Sequence, residues 1–166
     1  MIEVELVGVR VELPANQPIV LLKEKTGTRY LPIWIGAVEA TAIAFALQGV
    51  ETPRPLTHDL IVNVLQDLGV DLQAVHVTEL REGTFYAELH FVQNGRTHTV
   101  SSRPSDAIAI ASRLDAVPIY AAEDVMDEAG LEIEATEEGD EVAAEQQLRE
   151  FREFLEGVTP EDFREV

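Results

Sequence analysis

The feature that most constrains the fold is a run of three strand patterns joined by tight turns in the second half of the chain. Apolar and polar side chains alternate within 72–80 and 84–92, and Asn94-Gly95 is a pair that two-residue hairpin turns favour. A third strand pattern follows at 96–102. Strands joined by such short turns pair antiparallel, so these residues predict a three-stranded meander.

The first half of the chain repeats this order of elements. Residues 2–13, 19–25 and 29–35 carry strand patterns, and the alanine-rich segment 37–48 that follows them predicts a helix. A similar alanine-rich segment, 106–111, follows the other meander. The chain is therefore predicted to be α+β, with mostly antiparallel sheets packed with helices. A duplicated unit of three strands and one helix is a further hypothesis.

Three other elements complete the predicted order. A helix is expected over 58–68, capped by Thr57, and its apolar stripe comprises Leu60, Ile61, Val64, Leu65 and Leu68. A short strand at 117–121 and a short helix at 123–129 follow. Trp34, the only tryptophan, is predicted to anchor the core or an interface.

The formal charge of −19 is unevenly distributed along the chain. Residues 1–121 hold 14 acids and 9 bases, a net charge of −5, whereas residues 122–166 hold 17 acids and 3 bases, a net charge of −14. The sequence predicts a domain over 1–130 and an acidic linker with a helical tail over 131–166. Neither part has the basic excess that usually accompanies tight nucleic-acid binding.

The composition also bears on the cellular compartment. The chain has no cysteine, which excludes disulfides and a cysteine nucleophile and suits a reducing environment. Its first residues carry acids where a signal peptide carries bases, and no apolar run approaches the ~20 residues of a membrane span. A cytoplasmic protein without a membrane segment is expected.

A polar corner precedes the helix predicted after the second meander. Arg103, Ser105 and Asp106 place a guanidinium, a hydroxyl and a carboxylate where free backbone N–H groups and the helix dipole favour an anion. Such a corner suits a phosphate. It equally suits a helix cap formed by Asp106 alone, because a first-turn carboxylate satisfies the same donors.

A second polar corner precedes the helix at 58–68. Arg54, His58 and Asp59 follow or flank two prolines, and a histidine beside a carboxylate suits general acid–base chemistry. Adjacent residues on a helix point about 100° apart, so this pair does not automatically cooperate. Glu39 lies in the first turn of the helix at 37–48, where it is either a surface or cap residue or a site ligand.

Four motifs in this order resemble the bifunctional nuclease family, and residues 151–155 (FREFL) and 160–163 (PEDF) of the tail resemble the ends of its actinobacterial members. The four motifs are residues 31–36 (LPIWIG), 53–60 (PRPLTHDL), 83–87 (GTFYA) and 103–109 (RPSDAIA). The resemblance covers about residues 1–130. It implies an α+β domain that often self-associates, with a dimer favoured here, and the DNase and RNase activity described for plant members. Many members carry an acid two residues before the motif arginine, where this chain has Ser101.

If the two polar corners face each other, their residues form one site. The predicted phosphate ligands are Arg54, Arg103 and Ser105. The predicted catalytic residues are His58, Asp59, Arg103 and Asp106, with His58 as general acid or base. The predicted ligands of Mg²⁺ or Mn²⁺ are Glu39, Asp59 and Asp106, because hard cations prefer carboxylates.

A non-catalytic regulatory or protein-binding module is the alternative function. The charge balance favours it, because the predicted corners would then be ion pairs that fix loops and helix starts. In either case the acidic tail is predicted to dock on partners or to screen the cleft from nucleic acid.

Overall fold

The computed structural model of the protein describes residues 1–132. Its strands are β1 (Ile2–Glu12), β2 (Gln17–Glu24), β3 (Arg29–Trp34), β4 (Asp71–Arg81), β5 (Thr84–Gln93), β6 (Arg96–Ser102), β7 (Ile119–Ala121) and β8 (Leu131–Glu132). Its helices are α1 (Ala37–Gln48), α2 (Thr57–Asp67), α3 (Pro104–Ala111) and α4 (Glu123–Ala129). The predicted α+β class and order of elements are confirmed.

All eight strands belong to one sheet, in the order β6-β5-β4-β7-β1-β2-β3-β8. The two predicted meanders are its two halves. They are joined by β7, which pairs antiparallel with β1 and parallel with β4. The order of three strands followed by a helix occurs in both halves, while a duplication of the unit stays a hypothesis.

The local backbone signals in the sequence act as expected. Asn94 and Gly95 both have positive φ, 50° and 75°, as the predicted two-residue hairpin turn requires. The pairing of β1 with β2 shifts register between Leu6 and Gly8, which marks a β-bulge at this point of the strand.

One face of the sheet packs against helices to form the core. Val75 and Val77 of β4 are fully buried, as are Ala40 and Ile43 of α1 and Ile108 of α3. The alanines of α1 and α3 let these two helices pack directly against each other as well as on the strands. This packing brings the start of α3 close to the start of α1, which positions the candidate site.

Helix α2 packs differently from the prediction. Four residues of its apolar stripe are exposed: Leu60 (54%), Ile61 (38%), Val64 (48%) and Leu68 (61%). The side that α2 buries instead carries His58 and Val62 and faces α3. The physical reason is that α1, α3 and α4 already pack against the strands, so α2 contacts the body of the protein through α3.

Two other predictions need correction. Trp34 is 51% exposed, so its interpretation as a core residue is wrong, while an interface role stays a prediction. Leu131 and Glu132, predicted to begin a solvated linker, pair with Tyr30 and Arg29 as the edge strand β8. The remaining predictions for the tail fall on residues 133–166, outside the described residues.

Among residues 1–132, no helix combines the length and the apolar character needed to cross a membrane.

Candidate functional site

The starts of α2 and α3 meet, and their polar residues are in contact. His58 at the start of α2 lies with its Nε2 3.1 Å from Oδ1 of Asp106 in the first turn of α3. The residues are 48 positions apart in sequence, so only the tertiary packing brings them together. The His58 ring is buried and the Asp106 carboxylate is about one quarter exposed.

Arg103 joins this pair to α1. Its Nε and Nη2 donate to Asp106 at 2.6 and 3.0 Å, and its Nη1 lies 2.8 Å from Oε1 of Glu39. The Glu39 side chain is only 16% exposed, and a side chain at Gly36 would collide with its carboxylate. Glu39 is therefore a member of the cluster, and the glycine of the LPIWIG motif provides the space for it.

The tautomer of neutral His58 follows from the ionisation of Asp106. Burial alone would raise the pKa of the Asp106 carboxyl, but hydrogen bonds from Arg103 and His58 outweigh burial and lower it. Asp106 is thus ionised at neutral pH and can only accept a hydrogen bond. Neutral His58 therefore carries its proton on Nε2, which leaves Nδ1 as the basic nitrogen.

The interpretation of Asp106 as a helix cap is wrong. Helix α3 begins after Arg103 with no side-chain hydrogen bond to its first N–H groups. The first backbone hydrogen bond of its ladder runs from Ala107 N to Arg103 O. The N–H groups of Ser105 and Asp106 therefore stay free of partners within the described part of the chain, because the Asp106 carboxylate contacts Arg103 and His58 instead.

A cleft of about 970 Å³ lies beside the cluster, between α1, the start of α2 and α3. His58, Asp106, Glu39 and Arg103 supply its charged or titratable side chains. The rest of the wall is largely apolar: Val38, Ala42, Phe45, Leu56, Ile61, Leu89 and Ile110. A buried acid–base pair next to a large cleft is an arrangement typical of binding and catalytic sites.

Asp59 is directed away from this cluster. Its carboxylate accepts hydrogen bonds from Nε of Arg113 and, at 2.8 Å, from the backbone N–H of Leu56. The hydrogen bond from Arg113 lowers the pKa of Asp59. The N-cap residue of α2 is Leu56, and Thr57 is the first residue of the helix. The prediction that Thr57 caps α2 is therefore wrong. Arg113 lies just after α3 outside every motif, and the sequence offered no signal for it.

The pair of Asp59 and Arg113 is expected to stabilise the fold by fastening α2 to the end of α3. Arg113 is 91% buried and also donates to the carbonyl of Ala109. Arg113→Met keeps the apolar stem but removes these bonds, so we expect a loss of about 2–3 kcal/mol in the free energy of unfolding by urea denaturation. The expected loss of stability is smaller than for a fully buried ion pair, because one third of the Asp59 side chain is exposed. Arg96→Met, at an exposed hairpin, is the control; equal stability of both variants would contradict a structural role for the pair.

Two of the predicted ligands, Arg54 and Asp59, lie apart from the cluster. Arg54 is exposed in the loop before α2, forms no ion pair with residues 1–132 and does not line the cleft. Glu39 and Asp106 both contact Arg103, whereas Asp59 contacts Arg113. Within the described residues, no three histidine or acidic side chains are arranged to hold a metal ion. The donor set therefore does not fit a metal as it stands, and a metal requirement stays a prediction.

A separate histidine pair lies on the face of the sheet opposite Val75 and Val77. The rings of His76 and His90 are 4.0 Å apart between centroids, and His76 also packs edge-on against Tyr120. Burial and the neighbouring His90 lower the pKa of His76. This pair is distant in the fold from the cluster at the helix starts, since it lies on the other face of the sheet.

The fold and the cluster define an α+β domain in which three helix starts hold an arginine, a histidine and two carboxylates beside a cleft. The sequence model of the bifunctional nuclease domain matches residues 20–134, more than half of the chain. The chain therefore belongs to the bifunctional nuclease domain family.

Two groups of relatives are similar to this chain. An uncharacterized protein of Mycobacterium tuberculosis is 53% identical over 164 residues, which cover 98% of both chains. Bifunctional nuclease 1 of Oryza sativa subsp. indica is 29% identical over 107 residues, and Bifunctional nuclease 2 of Arabidopsis thaliana is 31% identical over 109 residues. Each plant match covers 63% of this chain but only about one third of the plant protein.

Proposed function

We propose that this protein is a nuclease that hydrolyses phosphodiester bonds in DNA, RNA or both. The observation that carries the proposal is the contact of Asp106 with both His58 and Arg103 beside the cleft. The plant relatives are named bifunctional nucleases, which supports nucleic acid as the substrate class. The His–carboxylate–arginine combination supplies a base, a group that orients it and a cation for the phosphate.

The proposed reaction uses His58 as the general base. A water donates a proton to Nδ1 of His58 as its oxygen bonds to phosphorus. The bond from phosphorus to the leaving oxygen breaks, and the proton passes from the imidazolium to that oxygen. Asp106 holds the ring through Nε2 and stabilises the imidazolium while the proton is on it.

Arg103 is proposed to bind the phosphate. A guanidinium has five N–H donors, and Asp106 and Glu39 accept three of those of Arg103. The remaining two N–H groups can donate to phosphate oxygens, since the side chain is 64% exposed. The two carboxylates orient the guanidinium so that it stabilises the charge of the transition state.

The charge of the cluster favours the alternative function, a non-catalytic regulatory or protein-binding module. One guanidinium faces two carboxylates, so the four residues carry a net charge of −1 while His58 is neutral. A net negative charge repels an anionic substrate. The same charges can instead pair with one another and hold the three helices together. In this alternative the acidic tail docks on partners or screens the cleft.

The proposed activity is tested by incubating the purified full chain with single-stranded DNA, duplex DNA and RNA. Each substrate is assayed with Mg²⁺, with Mn²⁺ and with EDTA, which tests the predicted metal requirement in the same experiment. Product fragments that increase with enzyme concentration are the expected result. If no substrate is cleaved under any condition, the non-catalytic alternative is favoured.

We also propose that the chain forms a dimer through α2. The exposed residues Leu60, Val64 and Leu68 form an apolar face of a kind that monomers rarely leave in water. Leu60→Glu combined with Val64→Glu is expected to convert the dimer to a monomer, measured as molar mass by light scattering. Val7→Glu, at a comparably exposed position on β1, is the control. A wild-type monomer, or a dimer that persists in the double variant, would contradict this interface.

A further inference from the structure

A second cavity, of about 390 Å³, lies on the other side of Arg103 from the cleft. It is bounded by the end of β3, the hairpin between β4 and β5, and the start of α3, and its lining includes Trp34, Phe85 and Thr84. Arg103 lines both this cavity and the cleft. The volume falls in the range of about 300–1,000 Å³ that is typical of small-ligand sites.

Trp34 forms an exposed aromatic surface in this cavity. Its Nε1 donates a 2.9 Å hydrogen bond to Glu12, which fixes the indole although half of the residue is open to solvent. An indole held in place by a hydrogen bond and left exposed contributes little to the core. Such a fixed aromatic face suits stacking of a planar ring, and Phe85 adds a second aromatic side chain to the same cavity.

The end of the cavity at the start of α3 offers donors for an anion. Ser105 is 94% buried, lines the cavity, and its hydroxyl forms no hydrogen bond within residues 1–132. Its backbone N–H is also unpaired there, because the helix ladder begins at Ala107. With the guanidinium of Arg103 beside them, these groups can donate to the oxygens of one phosphate.

We infer that this cavity binds one nucleotide of a single-stranded nucleic acid, with its base stacked on Trp34 and its phosphate at Ser105 and Arg103. The inference rests on the proposed nuclease function and adds a substrate class to it. A base within a duplex is paired and stacked on its neighbours, so it reaches Trp34 only after it leaves the helix. Single strands are therefore the preferred ligands.

Trp34 is the only tryptophan in the chain, so its intrinsic fluorescence reports directly on this site. The full chain is titrated with a 5′-phosphorylated deoxythymidine trinucleotide in EDTA, and with deoxyribose 5-phosphate as the ligand that lacks a base. Saturable quenching by the trinucleotide and none by the sugar phosphate is the expected result. No quenching by the trinucleotide, or equal quenching by both ligands, would overturn the inference.

Variants of Trp34 test the contribution of stacking to affinity. Trp34→Ala is expected to weaken binding of a single-stranded oligonucleotide about 5- to 100-fold, measured by fluorescence anisotropy of the labelled DNA. Trp34→Phe keeps an aromatic ring and is expected to recover part of this loss, which also shows that the variant site is folded. Unchanged affinity in Trp34→Ala, or equal affinity of the wild type for duplex and single strand, would contradict the proposed site.

Cleavage assays on the same preparations separate this inference from the proposed function. Quenching without cleavage would support the nucleotide site and remove the nuclease proposal. Cleavage without quenching would remove the nucleotide site and leave the nuclease proposal in place.

Discussion

Arg103→Ala is expected to reduce the rate of phosphodiester cleavage by about 10²–10³-fold, the usual effect of removing one preorganised donor to a developing charge. Within residues 1–132, Arg103 is the one residue that contacts Glu39 and Asp106 and also lines both the cleft and the cavity at Trp34. Its loss removes the proposed phosphate ligand and leaves two carboxylates without their cation. Rates are measured by gel analysis of a labelled oligonucleotide under saturating enzyme.

Two controls make this result specific. Arg96→Ala removes the same charge from an exposed hairpin and is expected to keep the wild-type rate. Arg103→Lys keeps the charge but not the planar fork of donors, and it is expected to recover only a small part of the activity. Wild-type cleavage by Arg103→Ala would show that the observed nuclease is a contaminant or acts at another site.

His58→Ala is expected to reduce cleavage by about 10²–10⁴-fold, the contribution typical of a general acid–base residue. His58 lines the cleft, and Asp106 accepts the hydrogen bond from its Nε2, which leaves Nδ1 as the basic nitrogen. The rate is measured by the same gel analysis of a labelled oligonucleotide as for Arg103→Ala.

His98→Ala is the matched control for His58→Ala, because His98 is an exposed histidine on β6. It is expected to keep the rate of the wild type. Thermal unfolding of each variant separates loss of chemistry from loss of fold. An unchanged rate in a folded His58→Ala variant would exclude His58 as the base.

Much of the fold was predictable because its signals are local. The alternation of apolar and polar residues and the Asn94-Gly95 pair define the strands and their turns without knowledge of distant contacts. The joining of the two meanders was not predictable, because β7 has only three residues and its partners are more than 40 positions away in β4 and β1. Pairing of so short a strand is decided by tertiary packing.

The candidate site was predictable in its residue types but only partly in its geometry. His58, Arg103 and Asp106 belong to motifs at helix starts, and the structure brings them together. Asp59 follows His58 directly, so the helical rotation between them directs it to Arg113 instead. The sequence predicted the helix α2 and the apolar residues along it. Periodicity does not tell whether such residues are buried against the same chain, and most of these are exposed.

The central claim is that His58 and Arg103 act together in one phosphodiesterase site. It is tested most directly by the single-turnover cleavage rate of a single-stranded oligonucleotide, measured for the wild type, Arg103→Ala, His58→Ala and the double variant. Residues that act as a unit have non-additive effects, so the double variant is predicted to be no slower than the more damaged single variant. Wild-type rates in all three variants, or no cleavage by the wild type, would contradict the claim.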